Sequence, residues 1–305
     1  MRLGLKIDVD TLEGFRRGVP ALMEVLAAQE VKASFFLALG PDHSGRAILR
    51  IFRQRGFLEK MWRTRAPALY GFKTMCYGTL LPGPIIGAAA PHLLPQLSAA
   101  GHEVGLHGYN HVRWHDHLFN LPPLEVAREI DHGQKTYTGL LGRPAVAFAA
   151  PGWQCSLNSR VALGTRHFLY GSDTRGTTPY FPAFGDTVTS VLEIPTTLPT
   201  LDELLGANGC RPRDFTNLVL SRLVPDRPQV LTLHAEVEGG PFLDEFARLL
   251  TLGRERGVEF FRLEDWARDL LREPAGLPTS QVNSQRLPGR AGYVSCQGQT
   301  EASLS

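Results

Sequence analysis

Short apolar runs recur along the chain with a spacing that alternates strand and helix. LGLKIDV (3–9), KASFFLAL (32–39), EVGLH (103–107), AVAFAA (145–150), HFLYGS (167–172), SVLEIP (190–195), QVLTLH (229–234) and VEFFRL (258–263) read as strands. Between most of them, residues 18–29, 91–100, 122–140, 156–164, 213–224 and 242–256 carry apolar residues at helical intervals. Strands that alternate with helices predict a parallel sheet with helical crossovers. About eight such units predict a (β/α) barrel, incomplete or distorted, with a doubly wound open sheet as the alternative. No internal repeat is visible. Two regions depart from this rhythm. Residues 41–90 form a long insertion between the second and third strands. Residues 274–305 are rich in Gly, Pro, Ser and Gln and predict an irregular, partly disordered tail, which leaves 1–273 for the barrel.

Composition narrows the class. The chain has 305 residues, 43% of them hydrophobic, enough for one large core or two domains, and a charged fraction of 20% argues against bulk disorder. Cys76, Cys155, Cys210 and Cys296 are far apart and form no CxxC pair, which predicts reduced thiols rather than a disulfide framework or a thiolate metal site. The opening MRLGLKIDVD reads directly as a core strand and not as a secretory signal. The most apolar run, 79–95, contains Pro82, Pro84, Pro91 and Pro95 and is not expected to span a bilayer.

The net charge of +2 is unevenly spread. Arg46, Arg50, Arg53, Arg55, Lys60, Arg63, Arg65 and Lys73 stand against Glu59 alone in residues 46–73, so that segment carries +7 and the remainder −5. The same stretch holds Ile48, Leu49, Ile51, Phe52, Phe57, Leu58, Met61, Trp62 and Leu69. Basic amphipathic segments bind anionic membrane surfaces, at about 1 kcal/mol per Lys or Arg near the surface. An anionic membrane surface is therefore the expected partner, with TLLPGPIIG (79–87) entering the interface. The structural alternative is a helix packed on the barrel with a solvated basic face. Nucleic acid is not expected, because no nucleic-acid-binding fold accompanies the basic stretch.

Candidate chemistry gathers where the predicted strands end. In EVGLHGYNH (103–111) a buried-strand pattern closes on His107, and His111 follows four residues later. Two such histidines can share an ion if the loop between them makes a helical turn. A hydrolytic metal site needs a third protein ligand and an open position. IDVD (7–10) offers Asp8 and Asp10, which point to the same side of an extended strand. Two close carboxylates are costly unless a cation lies between them or one is protonated. Neither DxD nor HxxxH is specific by itself, and His111 with His115 is a competing pair. His102, His115 and His117 read as loop or surface histidines. LTLH (231–234) adds His234, for which a core histidine is the bland reading, and GSD adds Asp173. Asp8, Asp10, His107, Asp173 and His234 all fall at carboxyl ends of predicted strands, the edge where parallel α/β folds assemble sites.

In their order along the chain, IDVD, HGYNH, AAPGW (149–153), SDTRG (172–176) and LTLH resemble the five motifs of the NodB-type polysaccharide deacetylases, also called carbohydrate esterase family four. RGVPALMEVL, ASFFLALGPDHSGR, EIPTTLPTLDE and LTLHAEVEG are more specifically similar to the members of that family that deformylate a lipid-linked formamido-arabinose, over about residues 2–298. The resemblance implies a distorted (β/α) barrel of the NodB type. It implies a divalent cofactor, Zn²⁺ first, with Co²⁺, Mn²⁺ or Ni²⁺ as alternatives. Asp10, His107 and His111 would be the metal ligands, Asp8 the general base, His234 the general acid, and Asp173 the group that orients His234. The family's third motif usually carries an arginine that tethers the base, and AFAAPGW has none; Arg175 is the candidate replacement, with an ordinary surface arginine as its bland reading. The implied substrate is a lipid-linked amino sugar used in lipid A modification, met at the cytoplasmic face of the bacterial inner membrane. The rival readings are a deacetylase for N-acetylated polysaccharide and a catalytically silent barrel that binds carbohydrate or lipid carrier.

Overall fold

The structure, a computed structural model, describes residues 1–46, 74, 76–205 and 210–298. Its main sheet is parallel and contains β1 (Arg2–Val9), β2 (Ser34–Leu37), β3 (Glu103–Leu106), β4 (Ala147–Phe148), β5 (Tyr170–Gly171), β8 (Leu192–Glu193), β9 (Gln229–His234) and β10 (Glu259–Phe261). The order is β8-β5-β4-β3-β2-β1-β9, with β10 lying beside the first residues of β1. Thr197 N–H and Leu198 N–H both donate to Val230 O, so the chain leaving β8 meets β9 and the sheet curls toward closure. The distorted barrel expected from the strand–helix alternation is what forms.

Period-two alternation explains the two layers. Leu3, Leu5, Ile7 and Val9 of β1 pack outward with Phe35, Leu37, Val104, Leu106, Leu231 and Leu233 against helices Val19–Ala28, Leu93–Ala99, Pro123–Leu141 and Leu243–Glu255. Inside the barrel lies a smaller cluster containing Phe36, Ala147, Tyr170, Leu192, Val230 and Leu263. The interior is not wholly apolar. Lys6 and Asp8 alternate with the outward Leu5, Ile7 and Val9 and turn the other way, where their charges pair. Helix Leu263–Leu270 closes the amino-terminal mouth: Leu263 N–H donates to Ser34 Oγ at 2.8 Å and Glu264 N–H to Glu103 Oε2 at 2.9 Å.

A second sheet was not expected. β6 (Phe181–Phe184), β7 (Thr187–Val188), β11 (Thr279–Gln285) and β12 (Val294–Gln297) make four strands in the order β12-β11-β6-β7. The end of the chain that reads as irregular is thus ordered strand over 279–285 and 294–297. Its Ser, Gln and Asn residues hide the pattern, because β11 is mostly exposed on both faces. The strands are fixed by pairing rather than by burial: β11 with β6, β12 with β11, and β12 with the segment around Arg175. The basic segment 46–73 lies outside the described residues apart from Arg46. In the remainder of the insertion, Leu80, Leu81 and Ile85 are 83%, 41% and 41% exposed. Among the described residues no helix is long and apolar enough to cross a membrane.

Candidate metal centre and active site

Asp10 stands one residue beyond β1, His107 one residue beyond β3, and His234 ends β9, paired across the ladder with Asp8. The carboxyl ends of β1, β3 and β9 therefore carry the four groups to one edge of the sheet. Asp10 Oδ1 lies 3.1 Å from His107 Nε2, and Asp10 Oδ2 lies 3.3 Å from His111 Nε2. One ligand atom from each of Asp10, His107 and His111 falls within 4.8 Å of the others.

The local backbone brings the two histidines together, but not through a helical turn. Gly108 has φ +69, a left-handed conformation that glycine adopts without strain, and Asn110 is extended. His111 then begins helix His111–His117. Asn110 caps that helix, its Oδ1 accepting from Arg113 N–H at 3.1 Å, and Asn110 N–H donates to Glu129 Oε2 at 3.1 Å. Arg113 reaches the same Glu129 with its guanidinium and holds the turn from the side. A sharp turn with a capped helix replaces the helical spacing expected between His107 and His111. The ring centroids are 5.2 Å apart.

The donor set fits a divalent ion. Asp10 Oδ1 and His107 Nδ1 are buried and carry no hydrogen bond, as does Asp8 Oδ1, which is 3.9 Å from His107 Nδ1. Buried polar atoms are normally satisfied, so three orphans in one place mark a site completed by something else. Burial pushes the Asp10 carboxyl up, but the fields of His111 and His107 and their contacts override it and hold the group well below the usual carboxylate range. Burial disfavours the charged His107 imidazole, and Asp8 and Asp10 more than reverse this, raising it.

The groups expected around the centre are placed as follows. Asp8 is buried, and its Oδ2 is 3.0 Å from Lys6 Nζ. Lys6, fully buried, is therefore what tethers Asp8. Arg175 does not: its Nη1 donates to Glu203 Oε1 at 2.6 Å and its Nη2 to Leu198 O at 2.9 Å. Nor is Asp173 turned on His234. Arg160, completely buried, donates through Nη1 to Asp173 Oδ2 at 2.7 Å and to Glu193 Oε2 at 2.8 Å. The group that grips His234 is Glu238, whose Oε2 accepts from the His234 backbone N–H at 2.7 Å. Burial pushes the Glu238 carboxyl up to about 7, against the field of His234. The His234 ring meets Trp153 edge-on at 6.5 Å.

Three further histidines stay outside the cluster. His102 lies in the loop before β3, as expected, but is buried rather than at the surface, and its Nδ1 accepts from Ala33 N–H at 3.2 Å. Burial lowers it to about 4. His115 lies 2.8 Å from Asp116, and His117 is exposed. Lys6 is the residue that sequence reasoning missed. KIDVD carries its signal, since Lys6, Asp8 and Asp10 share one side of an extended strand. Glu238 has no comparable signal; its role depends on the turn after β9.

A barrel with a metal-ready Asp–His–His cluster at the carboxyl edge of its strands suits a metal-dependent hydrolase, and the comparisons give the class. The family described as Polysaccharide deacetylase matches residues 7–164, and the chain belongs to it. A Shewanella sediminis (strain HAW-EB3) protein assigned as 4-deoxy-4-formamido-L-arabinose-phosphoundecaprenol deformylase ArnD is 37% identical over 299 residues, covering 97% of this chain and 94% of its own. A second ArnD-assigned protein, from Wigglesworthia glossinidia brevipalpis, is 31% identical over 93% of this chain and 98% of its own. A solved structure from Mycobacterium smegmatis, assigned as a polysaccharide deacetylase, shares the fold with a TM-score of 0.64 at 17% identity, over 94% of each chain.

Proposed function

We propose that this protein is a metal-dependent amide hydrolase that removes the formyl group from 4-deoxy-4-formamido-L-arabinose carried on undecaprenyl phosphate. The observation that carries the reading is the set of orphaned donors of Asp10 and His107, converging with His111 beside Asp8 and His234. It is joined to the name borne by the two relatives aligned over more than nine-tenths of the chain. Asp10, His107 and His111 would hold the ion. A mixed carboxylate–imidazole set suits Zn²⁺, with Co²⁺, Mn²⁺ or Ni²⁺ as alternatives, and such an ion supplies Lewis acidity and a water of lowered pKa.

The chain's own groups perform the proton chemistry. Asp8 accepts the proton of the attacking water. Lys6 Nζ, 3.0 Å from Asp8 Oδ2 in a pair sealed from solvent, holds that carboxylate in place. His234, half-buried and therefore within reach of substrate, donates a proton to the departing nitrogen. Without that proton an amide nitrogen is a very poor leaving group. The carbon–nitrogen bond breaks, and the products are formate and the free 4-amino sugar, the form used in lipid A modification.

The substrate is a lipid, so the site must meet a membrane. The exposed Leu80, Leu81 and Ile85 support a peripheral attachment at the cytoplasmic face of the inner membrane, together with the charge of segment 46–73. His43 Nδ1, at the start of the insertion, lies 3.1 Å from Asn110 Nδ2 and ties that element to the neighbour of His111. The test is formate release from the formamido-arabinose phosphoprenol, with and without chelator. Chelator-sensitive formate supports the reading. Release of acetate from an N-acetyl sugar, with no formate from the formamide, would replace it with a polysaccharide deacetylase. A protein that purifies without metal and is indifferent to chelator would be a silent barrel.

A further inference from the structure

Trp153 is the meeting point of the site and the second sheet. It holds φ +53, a conformation that a bulky residue adopts only when its surroundings enforce it. Its indole N–H donates to Thr196 Oγ1 at 3.1 Å, which fixes the ring. Two guanidinium groups lie over that ring, Arg290 Cζ at 4.3 Å from the centroid and Arg175 Cζ at 5.0 Å. The Arg175 Nε is buried without a hydrogen-bond partner. Both arginines approach one carboxylate oxygen, Glu203 Oε1, at 2.6 Å from Arg175 and 3.7 Å from Arg290. The edge of the same indole faces His234.

The second sheet delivers these groups. Arg290 lies in the loop between β11 and β12. β12 is bonded to both flanking motifs: Arg175 N–H donates to Ser295 O at 2.9 Å, Gln297 N–H to Arg175 O at 2.7 Å, and Cys155 N–H to Ser295 Oγ at 3.0 Å. All four of its strands fall after residue 164, beyond the part of the chain that the polysaccharide deacetylase family matches. The proposed metal ligands Asp10, His107 and His111 and the proposed base Asp8 lie within the matched part, and the sheet adds cations one aromatic ring away from the proton donor.

We propose that Arg290 and Arg175, mounted on Trp153, bind the phosphodiester that joins the sugar to its polyprenol. This rests on the lipid-linked reading of the substrate. Guanidinium groups recognise phosphate oxygens through paired N–H donors, and an aromatic platform holds their planes. The substrate's connectivity points the same way. The formamide is on C4 of the sugar and the phosphate on C1, so a sugar whose nitrogen meets His234 carries its phosphate across the ring, toward the next wall of the site.

Binding and turnover test this separately. Metal-free full-length protein is titrated with farnesyl methyl phosphate and with farnesol, following tryptophan fluorescence, for wild type, Arg290→Gln and Arg290→Lys. The metal-loaded proteins are assayed for formate from the prenyl-phosphate-linked sugar and from its methyl glycoside, which lacks phosphate. The dissociation constant for the phosphodiester should rise roughly tenfold or more in Arg290→Gln, as expected for loss of a charge-assisted contact. Arg290→Lys should fall between, and the preference for the phosphate-bearing sugar over the glycoside should drop by a similar factor. Equal affinity of wild type and Arg290→Gln for the phosphodiester, or an equal loss for farnesol, overturns the inference. Failure of wild type to release formate from either sugar overturns the deformylase reading instead, and leaves the titration to judge the arginine pair.

Discussion

Lys6 Nζ stands 3.0 Å from Asp8 Oδ2, with side-chain exposures of 0% and 4%. Lys6 also lies 5.9 Å from the Phe36 ring centroid and 5.3 Å from that of Trp153, so the pair is walled by aromatic surface. Burying a carboxylate there is costly without a cationic partner. Removing one member of a buried pair costs about 3–5 kcal/mol, because the other is left uncompensated. Lys6→Met should lose stability on that scale and lose most of kcat, yet keep its metal, since Asp10, His107 and His111 are untouched. Lys6→Arg should keep part of both. In a double-mutant cycle Asp8→Asn should cost much less in the Lys6→Met background than in wild type. Additive losses by denaturant unfolding would show that the two residues act independently.

The metal ligands give a different signature. Asp10→Ala and His107→Ala should each purify with substoichiometric metal and no turnover, measured by elemental analysis and formate assay. Chelator should lower the thermal midpoint of wild type and leave His107→Ala unchanged, because an ion stabilises only the state that binds it. Full metal content in His107→Ala would remove it from the ligand set.

Most of the barrel is legible in the sequence, because burial on both faces of a parallel sheet writes continuous apolar runs. The face of β1 that carries the chemistry is legible for the same reason: Lys6, Asp8 and Asp10 interrupt such a run at every second position. What the sequence hides is partnership over long separations. Arg160 reaches Asp173 and Glu193, and Glu238 reaches back to His234, through turns that leave no periodic trace. The small sheet is hidden more deeply, since β11 is held by backbone pairing with β6 almost a hundred residues earlier and buries only Ser280. His102 illustrates the opposite error: a polar residue in a His-rich stretch is buried, and satisfied by Ala33 N–H.

His234 should separate from the metal set. Its backbone is held by the β9 ladder and by Glu238, apart from the three ligands' side chains. His234→Ala should keep stoichiometric metal and fold normally while losing roughly 10²–10⁴ in kcat, the range for a general acid. The loss should shrink for a formamide whose amine leaves more easily. An unchanged kcat on the sugar substrate would take His234 out of the mechanism.

Glu103 sits at the far, amino-terminal end of the barrel and supplies a pH dependence free of the site. Its Oε1 accepts from the Tyr170 hydroxyl at 2.6 Å and its Oε2 from Glu264 N–H at 2.9 Å. Burial outweighs these bonds and pushes the carboxyl up to about 7, from an ordinary 4.5. Between those values the folded protein binds a proton that the unfolded chain has released, so stability from this group falls as pH rises from about 4.5 to about 7 and is level beyond. The whole effect is on the order of 3 kcal/mol or less. Glu103→Gln carries no titrating proton, so it should be less stable than wild type at pH 5, and the gap should narrow or reverse by pH 8. Urea unfolding of both proteins across that range measures it. A gap that widens with pH would mean that Glu103 is held ionised by its two donors.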